Sequence, residues 1–251
     1  MPASSPDRLA YYLLKAVAKA QRVYRLFEPG DRIAVAVSGG KDSATLLDLL
    51  RRWEGVPRFS LVAVHVRVEG ACASGIDPVQ LQAWWHDLGI EGVIVTSEPA
   101  ESNAPRERQG PCFHCSWRRR KALFLAAQQL SCNKVALGHH ADDVAVTTLL
   151  NLFYQGRCET MPARLSLFEG ALTLIRPLYL IEEREIVRFV RSGAFPFAPA
   201  TCYDGENQRR AYLAAVLRQL EREIRHIKRS LLNAVERPAS SSAPAALELS
   251  E

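Results

Sequence analysis

The sequence predicts an α/β fold in which a doubly wound, mainly parallel sheet is flanked by N- and C-terminal helices. Short runs of branched apolar residues alternate with longer segments of helical periodicity, which is the pattern of βαβ units. The first run, Arg32–Val37, leads directly into a glycine-rich loop and a helix. With 251 residues, 48% apolar and 24% charged, the composition excludes a disordered chain, a collagen-like fibre and a coiled coil.

Five strands and the helices between them follow in order along the chain. Strands are expected where branched residues dominate short runs, and helices where apolar residues recur at three- and four-residue intervals. The predicted strands are Arg32–Val37, Leu61–Val66, Gly92–Thr96, Lys134–Gly138 and Ala171–Arg176. The predicted helices are Leu9–Phe27, Ala44–Trp53, a segment around Trp84 and Leu88, Trp117–Leu130, Asp142–Phe153, Glu182–Val190 and Arg210–Val235.

Four segments are predicted along the chain. Residues 1–30 form an N-terminal helical segment, and residues 31–200 form the α/β domain with an inserted Cys-x-x-Cys loop. Residues 201–237 form a C-terminal helical region, and the Ala-, Ser- and Pro-rich residues 238–251 are expected to be a disordered tail. The polar, proline-containing residues 97–110 are expected to form a mobile loop.

The charge balance is weakly basic, with 32 Lys and Arg against 27 Asp and Glu. Such a surplus suits a polyanionic partner, although many proteins that bind none have a similar one. The sequence has no run of about 18 apolar residues, so we expect no membrane span. Its first residues lack the basic-then-apolar layout of a secretion signal, from which we expect a cytoplasmic protein.

The hexapeptide Ser38–Ser43, Ser-Gly-Gly-Lys-Asp-Ser, is predicted to bind phosphate. Its paired glycines let backbone N–H groups turn toward an anion, and the following helix N-terminus and Lys41 add positive charge. It differs from the Walker A loop, which has four residues between its first glycine and Gly-Lys. The alternative is an ordinary strand-to-helix turn capped by Asp42 or Ser43.

A second polar cluster, Gly138–Asp143, follows the fourth predicted strand. Because parallel strands align their carboxyl ends, we expect this cluster to face the phosphate loop. Asp142 and Asp143 could hold magnesium against a pyrophosphate, and His139 could donate a hydrogen bond to it. The alternative is a helix N-cap made by one of the two aspartates, with surface histidines beside it.

Of the cysteines at 72, 112, 115, 132, 158 and 202, only Cys112 and Cys115 have a motif spacing. The pair fits half a zinc site, a redox dithiol or part of an iron–sulfur site. The chain has no second Cys-x-x-Cys, so a mixed zinc site would need His114 or His140.

The phosphate loop resembles that of the PP-loop (N-type) ATP pyrophosphatases. The order and spacing of further blocks are similar to those of the tRNA 2-thiocytidine synthetase family, over about residues 9–220. These blocks are Leu61–Val64, Cys112–Cys115 with its Arg run, Ala136–Asp143, Leu150–Tyr154 with Met161-Pro162, Ile175–Leu178, and Ala194–Pro196 leading to Cys202.

This resemblance implies an adenine nucleotide alpha hydrolase-like, Rossmann-like fold and an ATP-dependent tRNA sulfurtransferase. Such an enzyme adenylates a base carbonyl oxygen and replaces it with sulfur, using Mg²⁺ and a 4Fe–4S cluster whose fourth iron can hold the sulfur. By position, the cluster ligands would be Cys112, Cys115 and Cys202, although Pro199–Tyr203 has one offset cysteine where the family shows Pro-Cys-x-x-Cys. The other candidates for the third ligand are Cys72, Cys132 and Cys158. The expected partners are tRNA and a sulfur donor such as a cysteine desulfurase, and a homodimer is compatible with the sequence.

The resemblance also assigns roles to individual residues. The expected catalytic residues, which would position and neutralise charge, are Lys41, Asp42, Asp142 and Asp143. The expected ATP contacts are Ala36, Ser38, Gly39, Gly40, Lys41, Asp42, Ser43, His65, Gly138 and His139, with Asp143 on magnesium. The expected RNA contacts, whose alternative is a solvated helix face, are Arg118, Arg119, Arg120 and Lys121.

Two other functions remain open from the sequence. One is a PP-loop enzyme that adenylates a small molecule or another non-tRNA substrate. This alternative draws on His65–Cys72, which departs from the acidic, Gln-containing loop of the family. The other is a non-catalytic nucleotide-binding module that carries an iron–sulfur cluster or zinc.

Overall fold

A computed structural model describes residues 6–68, 76–97, 111–193, 195 and 205–236, without the side chains of residues 111–113 and 205–207. The chain divides into two compact units. The first contains Met1–Ala141 and Pro162–Asn207, and the second contains Asp142–Met161 and Gln208–Glu251. None of the helices in the described ranges is long and apolar enough to cross a membrane.

The first unit contains a six-stranded sheet in the order β3-β2-β1-β4-β6-β5. Every neighbouring pair is parallel except β5 and β6, so the predicted α/β fold with a mainly parallel sheet is confirmed. The antiparallel edge strand β5 was not predicted, because its four residues are exposed or only half-buried and give a short apolar signal. The strands are β1 Arg32–Ala36, β2 Ser60–Val68, β3 Glu91–Ser97, β4 Lys134–Ala136, β5 Arg164–Leu167 and β6 Leu172–Ile175.

Eight α-helices lie within the described residues. They are α1 Pro6–Tyr24, α2 Lys41–Arg51, α3 Pro78–Asp87, α4 Pro111–Gln129, α5 Ala141–Gln155, α6 Glu183–Ser192, α7 Gly205–Glu223 and α8 Ile227–Glu236.

Strand β1 is buried on both faces, as the apolar run predicted. Ala34 belongs to a core cluster with Leu123 and Ala127 of α4, on one side of the sheet. Its neighbours Ile33 and Val35 are fully buried as well and point to the other side, since successive side chains alternate across a strand. Helices α1, α2 and α6 contact one another, and α2 contacts β1. The carboxyl end of β1 is therefore held in a rigid environment.

A buried lysine fixes the amino ends of β1 and β4. Lys134, 1% exposed, donates from Nζ to Leu26 O at 3.0 Å and pairs with Glu28 Oε2 and Asp31 Oδ2, both at 2.8 Å. The hydrogen bond from Lys134 lowers the pKa of Glu28, against the opposing effect of burial. Because Asp31 precedes β1 and Lys134 opens β4, this cluster holds together the two strands whose other ends carry the predicted site.

Several predicted helix boundaries were wrong. Helices α1 and α2 begin at Pro6 and Lys41, three residues before their predicted starts at Leu9 and Ala44. Helix α4 begins at Pro111 rather than Trp117, so the cysteine pair forms its first turn instead of a preceding loop. Helix α1 ends at Tyr24, three residues before the predicted end at Phe27. The chain turns there through a left-handed Arg25 (φ 50°), and Leu26 and Phe27 enter the core.

The predicted C-terminal helix over residues 210–235 is two helices, α7 and α8, separated by residues 224–226. In the second unit, α5 and α7 share a core cluster of Ala145, Val146, Leu149, Leu213 and Leu217. Two residues of α8, Ile227 and Leu231, pack against the same cluster. The predicted helix is therefore interrupted where the chain returns its apolar residues to this core. The predicted mobile loop beyond Ser97 and the predicted tail 238–251 lie outside the described residues.

Candidate active site at the carboxyl end of the sheet

The candidate site lies where the strand order reverses, between β1 and β4. Ligands of open α/β sheets bind at such a switch point, outside the carboxyl ends of the strands. The loop after β1 carries Ser38–Ser43, and the loop after β4 begins at Leu137. A Cβ atom on Gly138 would lie 3.1 Å from both the carbonyl carbon of Asp42 and the amide nitrogen of Ser43. The structure thus brings the two loops into contact through a glycine.

The phosphate loop is a left-handed turn followed by an uncapped helix. Gly39 has φ +88°, and Gly40 is the N-cap of α2 without a side-chain cap. The Ser43 hydroxyl instead accepts from Ser38 N at 3.1 Å and donates to Gly40 O at 2.9 Å. The structure therefore does not have the alternative, a turn in which Asp42 or Ser43 caps the helix. The first N–H groups of an α-helix have no intrahelical partner, which suits them to an anion.

Lys41 supplies the positive side chain of this loop. Its Nζ lies 3.1 Å from Asp42 Oδ1 and 2.9 Å from Glu183 Oε1 on α6. Burial lowers the pKa of Lys41, but the hydrogen bond that Lys41 donates to Glu183 and the charge of Asp42 outweigh it, and the pKa is raised. Lys41 therefore stays cationic across the neutral range. Glu183 was not predicted from the sequence, because a glutamate in a first helical turn is ordinary.

A buried arginine orients His139. Arg176, 7% exposed, donates from Nε to His139 Nδ1 at 3.2 Å and also donates to Pro162 O. Because Nδ1 accepts this hydrogen bond, a neutral His139 carries its proton on Nε2 and can donate from there. The adjacent His140 is buried, with Nε2 at 3.6 Å from Asp42 Oδ1. Arg176 lies in the block Ile175–Leu178, but nothing in the sequence indicated this contact.

His65 supports the loop from the neighbouring strand β2. Its Nδ1 donates to Val37 O at 2.7 Å, directly before the phosphate loop. Burial lowers the pKa of His65 despite this hydrogen bond, and the positive charges of Arg119 and Arg67 lower it further. Ala36 is the last residue of β1, two positions before Ser38. The predicted contacts of Ala36 and His65 with ATP stay predictions.

The two aspartates of the Gly138–Asp143 motif pair with the C-terminal helices within the second unit. Asp142 Oδ1 lies 2.5 Å from Lys228 Nζ, which is also 2.7 Å from Glu221 Oε1. Asp143 Oδ1 lies 3.6 Å from Arg210 Nη2, a looser ion pair that leaves the carboxylate partly exposed. Its oxygen atoms are of the donor type that Mg²⁺ prefers. Their catalytic role and the magnesium contact of Asp143 stay predictions.

The cysteine pair lies on a single helical turn. Cys115 is half-buried near the start of α4, and the backbone of Cys112 lies three residues earlier, a spacing that shares a helix face. Cys202, Cys72 and the Cys112 side chain lie outside the described residues. Thiols suit iron–sulfur or zinc better than a hard cation.

The structure also shows the surroundings of Cys132 and Cys158. Cys132 belongs to the core against α4, and burial raises the pKa of its thiol, which disfavours the thiolate that a metal needs. Cys158 is exposed, in the second unit. Among the residues whose side chains are described, no three His, Cys, Asp or Glu come together as metal ligands.

The basic run that follows the cysteine pair is largely solvent-facing. Arg119, Arg120 and Lys121 are exposed, and Arg118 is half-buried with Nε donating to His114 O at 3.4 Å. Lys121 Nζ lies 5.7 Å from the ring centroid of Trp117, which is itself half exposed. This exposed positive face is compatible with both the RNA contact and its solvated alternative.

Comparison with protein families identifies the chain. A family model described as a PP-loop domain matches residues 12–223. The chain belongs to the PP-loop family. It is 38% identical to a tRNA-cytidine(32) 2-sulfurtransferase of Geobacter sulfurreducens over 91% of both chains. It is 37% identical to one of Salmonella arizonae over 86% of this chain and 70% of that protein. Within the PP-loop family the chain belongs to the tRNA 2-thiocytidine synthetase branch, as its motifs predicted.

Solved structures agree on the PP-loop fold. The U34-tRNA thiolase NcsA from Methanococcus maripaludis, solved with its [4Fe-4S] cluster, is similar with a TM-score of 0.73 and 23% identity, covering 92% of this chain and 79% of that one. The NMN synthetase from Francisella tularensis has a TM-score of 0.54 and 14% identity, covering 96% of this chain and all of that one. At these identities the likeness concerns the fold.

Proposed function

We propose that this chain is an ATP-dependent tRNA sulfurtransferase whose target is cytidine 32. One observation carries the proposal. The phosphate loop, with Lys41, meets Gly138 at the switch point of the sheet, in a chain that is 38% identical over 91% of its length to a tRNA-cytidine(32) 2-sulfurtransferase. The loop supplies the ATP chemistry, and the relatives indicate the nucleotide that receives the sulfur.

The chain's own residues would act on the phosphates. Attack of the base oxygen on the α-phosphate of ATP gives an adenylated base and releases pyrophosphate. The free N–H groups at the start of α2, the Lys41 ammonium and the Nε2–H of His139 would stabilise the departing charge, each worth a few kcal/mol when positioned. Lys41 would exchange its contacts with Asp42 and Glu183 for phosphate oxygens. No side chain serves as the nucleophile in this scheme.

Two cofactors belong to the proposal. Magnesium, when bound, would neutralise phosphate charge, and the partly exposed Asp143 carboxylate is the residue proposed to hold it. A 4Fe–4S cluster, when bound, would supply the sulfur that replaces the activated oxygen. Cys112 and Cys115 on the first turn of α4, with Cys202, are the proposed cluster ligands. A cysteine desulfurase is the proposed sulfur source, and the enzyme is proposed to act as a homodimer.

The first experiment compares tRNA nucleosides by mass spectrometry in a deletion strain and in the same strain carrying plasmid-borne variants. We expect 2-thiocytidine to be absent without the gene, restored by the wild type, and reduced about 100-fold or more by Lys41→Ala or Cys115→Ser. Cys158→Ser, which replaces an exposed cysteine of the second unit, is the matched control and should restore it fully. An unchanged thionucleoside profile in the deletion strain would exclude the tRNA substrate.

A second experiment separates catalysis from mere nucleotide binding. The protein purified without oxygen is assayed for iron, sulfide and zinc, and for AMP and pyrophosphate formed from ATP with tRNA. We expect about four iron and four sulfide per chain and AMP formation that depends on tRNA. Zinc without iron would instead assign the cysteine pair to a structural site. Failure to form AMP with a reconstituted cluster would favour the non-catalytic module.

A further inference from the structure

The last turn of α5 exposes three consecutive large apolar side chains. Leu152 is 42% exposed, Phe153 62% and Tyr154 49%. Single exposed apolar residues are common on protein surfaces, whereas a contiguous group indicates an interaction site. The core of this unit ends one turn earlier, at Leu149. The apolar stripe of α5 thus continues beyond the cluster that explains it.

Helix α7 extends this group with an arginine and a second tyrosine. The guanidinium of Arg209 lies 5.0 Å from the ring centroid of Tyr154, which is within cation–π distance. Tyr212, three residues later on α7, is 63% exposed. Arg157 is exposed directly after α5. All of these residues belong to the second unit.

We infer that this aromatic–arginine surface, formed by Phe153, Tyr154, Arg157, Arg209 and Tyr212, binds unpaired bases of the RNA substrate. The inference depends on the proposed function for its RNA partner, since nucleotide 32 of a tRNA belongs to the anticodon loop. Unpaired bases of an RNA loop stack on aromatic rings and on arginine planes, and every base offers such a face. The two arginines complement the phosphates between those bases.

Charge separates this partner from a second copy of the chain. Here the Arg209 guanidinium lies over the Tyr154 ring, and none of the five residues that define the surface is acidic. A second copy of the chain docked on the same surface would set these arginines against each other, and like charges across an interface cost free energy. The neighbouring Arg210 is half-buried, and its Nη2 lies 3.6 Å from Asp143 Oδ1. Arg210 therefore pairs with a carboxylate and is not counted in the aromatic–arginine surface.

The test measures binding of the full-length protein to two labelled RNAs by fluorescence anisotropy. One RNA is a stem–loop with an unpaired loop of the anticodon type, and the other is a blunt duplex of the same stem. Phe153→Ala and Tyr154→Ala are each expected to weaken stem–loop binding about 5- to 100-fold, with little effect on the duplex. Tyr154→Phe keeps the ring and should bind like the wild type. Arg209→Ala should also lower the slope of log affinity against log salt by about one.

A matched control is available on α1. Tyr12 is 54% exposed and has Lys15 Nζ 6.0 Å from its ring centroid, a similar tyrosine–cation pair in the first unit. Tyr12→Ala should leave stem–loop affinity unchanged. Urea unfolding of every variant checks that the substitutions at exposed positions leave the fold intact.

The outcomes distinguish this inference from the function on which it rests. If the wild type binds neither RNA, both the tRNA substrate and the inference fall. If the wild type binds the stem–loop and the Phe153 and Tyr154 variants bind it equally well, only the inference is overturned. If these variants lower the mass measured by sedimentation while RNA affinity is unchanged, the surface serves self-association, which also overturns it.

Discussion

Replacing Gly138 by alanine tests the contact between the two loops of the candidate site. The change adds one methyl group at the end of β4. That methyl would lie 3.1 Å from the carbonyl carbon of Asp42 and the amide nitrogen of Ser43, and 3.2 Å from the carbonyl oxygen of Asp42. These atoms are backbone at the start of α2, so no side chain can rotate out of the way.

The size of the effect follows from these distances. An ordinary van der Waals contact of a methyl carbon begins near 3.5 Å, so the helix start must move by a few tenths of an ångström. Forcing extra volume into a close-packed region costs about 1–3 kcal/mol of folding free energy. The same displacement moves the N–H groups that face the phosphates. Because small misplacements of binding groups are costly, we expect the apparent affinity for ATP to fall about tenfold.

The assays are urea unfolding and ATP binding by isothermal titration, with Gly55→Ala as the matched control. A Cβ on Gly55 would lie 2.6 Å from the Trp53 side chain, so this variant also requires displacement. Gly55 lies between α2 and β2, at the edge of the sheet opposite the phosphate loop. Both variants should lower the urea midpoint of unfolding, by roughly 0.5–1 M for Gly138→Ala. Only Gly138→Ala should lower the affinity for ATP.

One result would refute the reasoning. If Gly138→Ala binds ATP as tightly as the wild type and unfolds at the same urea concentration, the β4 loop does not press on the start of α2. Equal losses of ATP affinity in both variants would instead assign the effect to general destabilisation.

Three further perturbations test other parts of the structure. Glu183→Gln removes an anion that competes with phosphate for Lys41, so the KM for ATP should fall up to about fivefold in steady-state kinetics, and a rise would contradict this. His65→Asn concerns pH: the lowered pKa of His65 means that its stabilising contribution is complete above the ordinary value of 6.5 and is lost as the pH falls below it. The urea midpoint of the wild type should therefore decline more between about pH 7.5 and 5.5 than that of the variant, and parallel declines would count against a neutral His65. Lys134→Met leaves the buried carboxylate of Asp31 without its cation and should cost about 3–5 kcal/mol in urea unfolding, whereas a loss below about 1 kcal/mol would show that the pair is dispensable.

Much of the sheet could be predicted because its strands are short branched runs that are buried on both faces. The phosphate loop could be predicted for a similar reason, since a left-handed turn and an uncapped helix start require small residues at Gly39 and Gly40. Strand β5 and the break between α7 and α8 could not, because both depend on which neighbour the segment packs against. Strand β5 depends on its antiparallel pairing with β6, and α8 on its packing against the core of α5 and α7.

The contacts around the phosphate loop show the same division. That the loops carrying Lys41 and His139 lie at one edge of the sheet followed from their places after parallel strands, whose carboxyl ends align. That Glu183 pairs with Lys41, and that Arg176 orients His139, depends on contacts across about 140 and 37 residues of chain, which no local pattern encodes. Lys134, at the amino ends of the strands, is a second example. Lysine is usually exposed, but three oxygen atoms surround the Lys134 ammonium and allow it to be buried.

By itself, the sequence determined the parallel strands, the glycine-rich turn after β1 and the family, because these depend on backbone requirements and ordered motifs that are local in the chain. The tertiary structure decided which charges meet. It paired Lys41 with a distant glutamate, set the tautomer of His139 through Arg176, and engaged Asp142 with Lys228. Such pairings depend on distance in space, and a chain folded into a sheet brings together residues that its order keeps far apart.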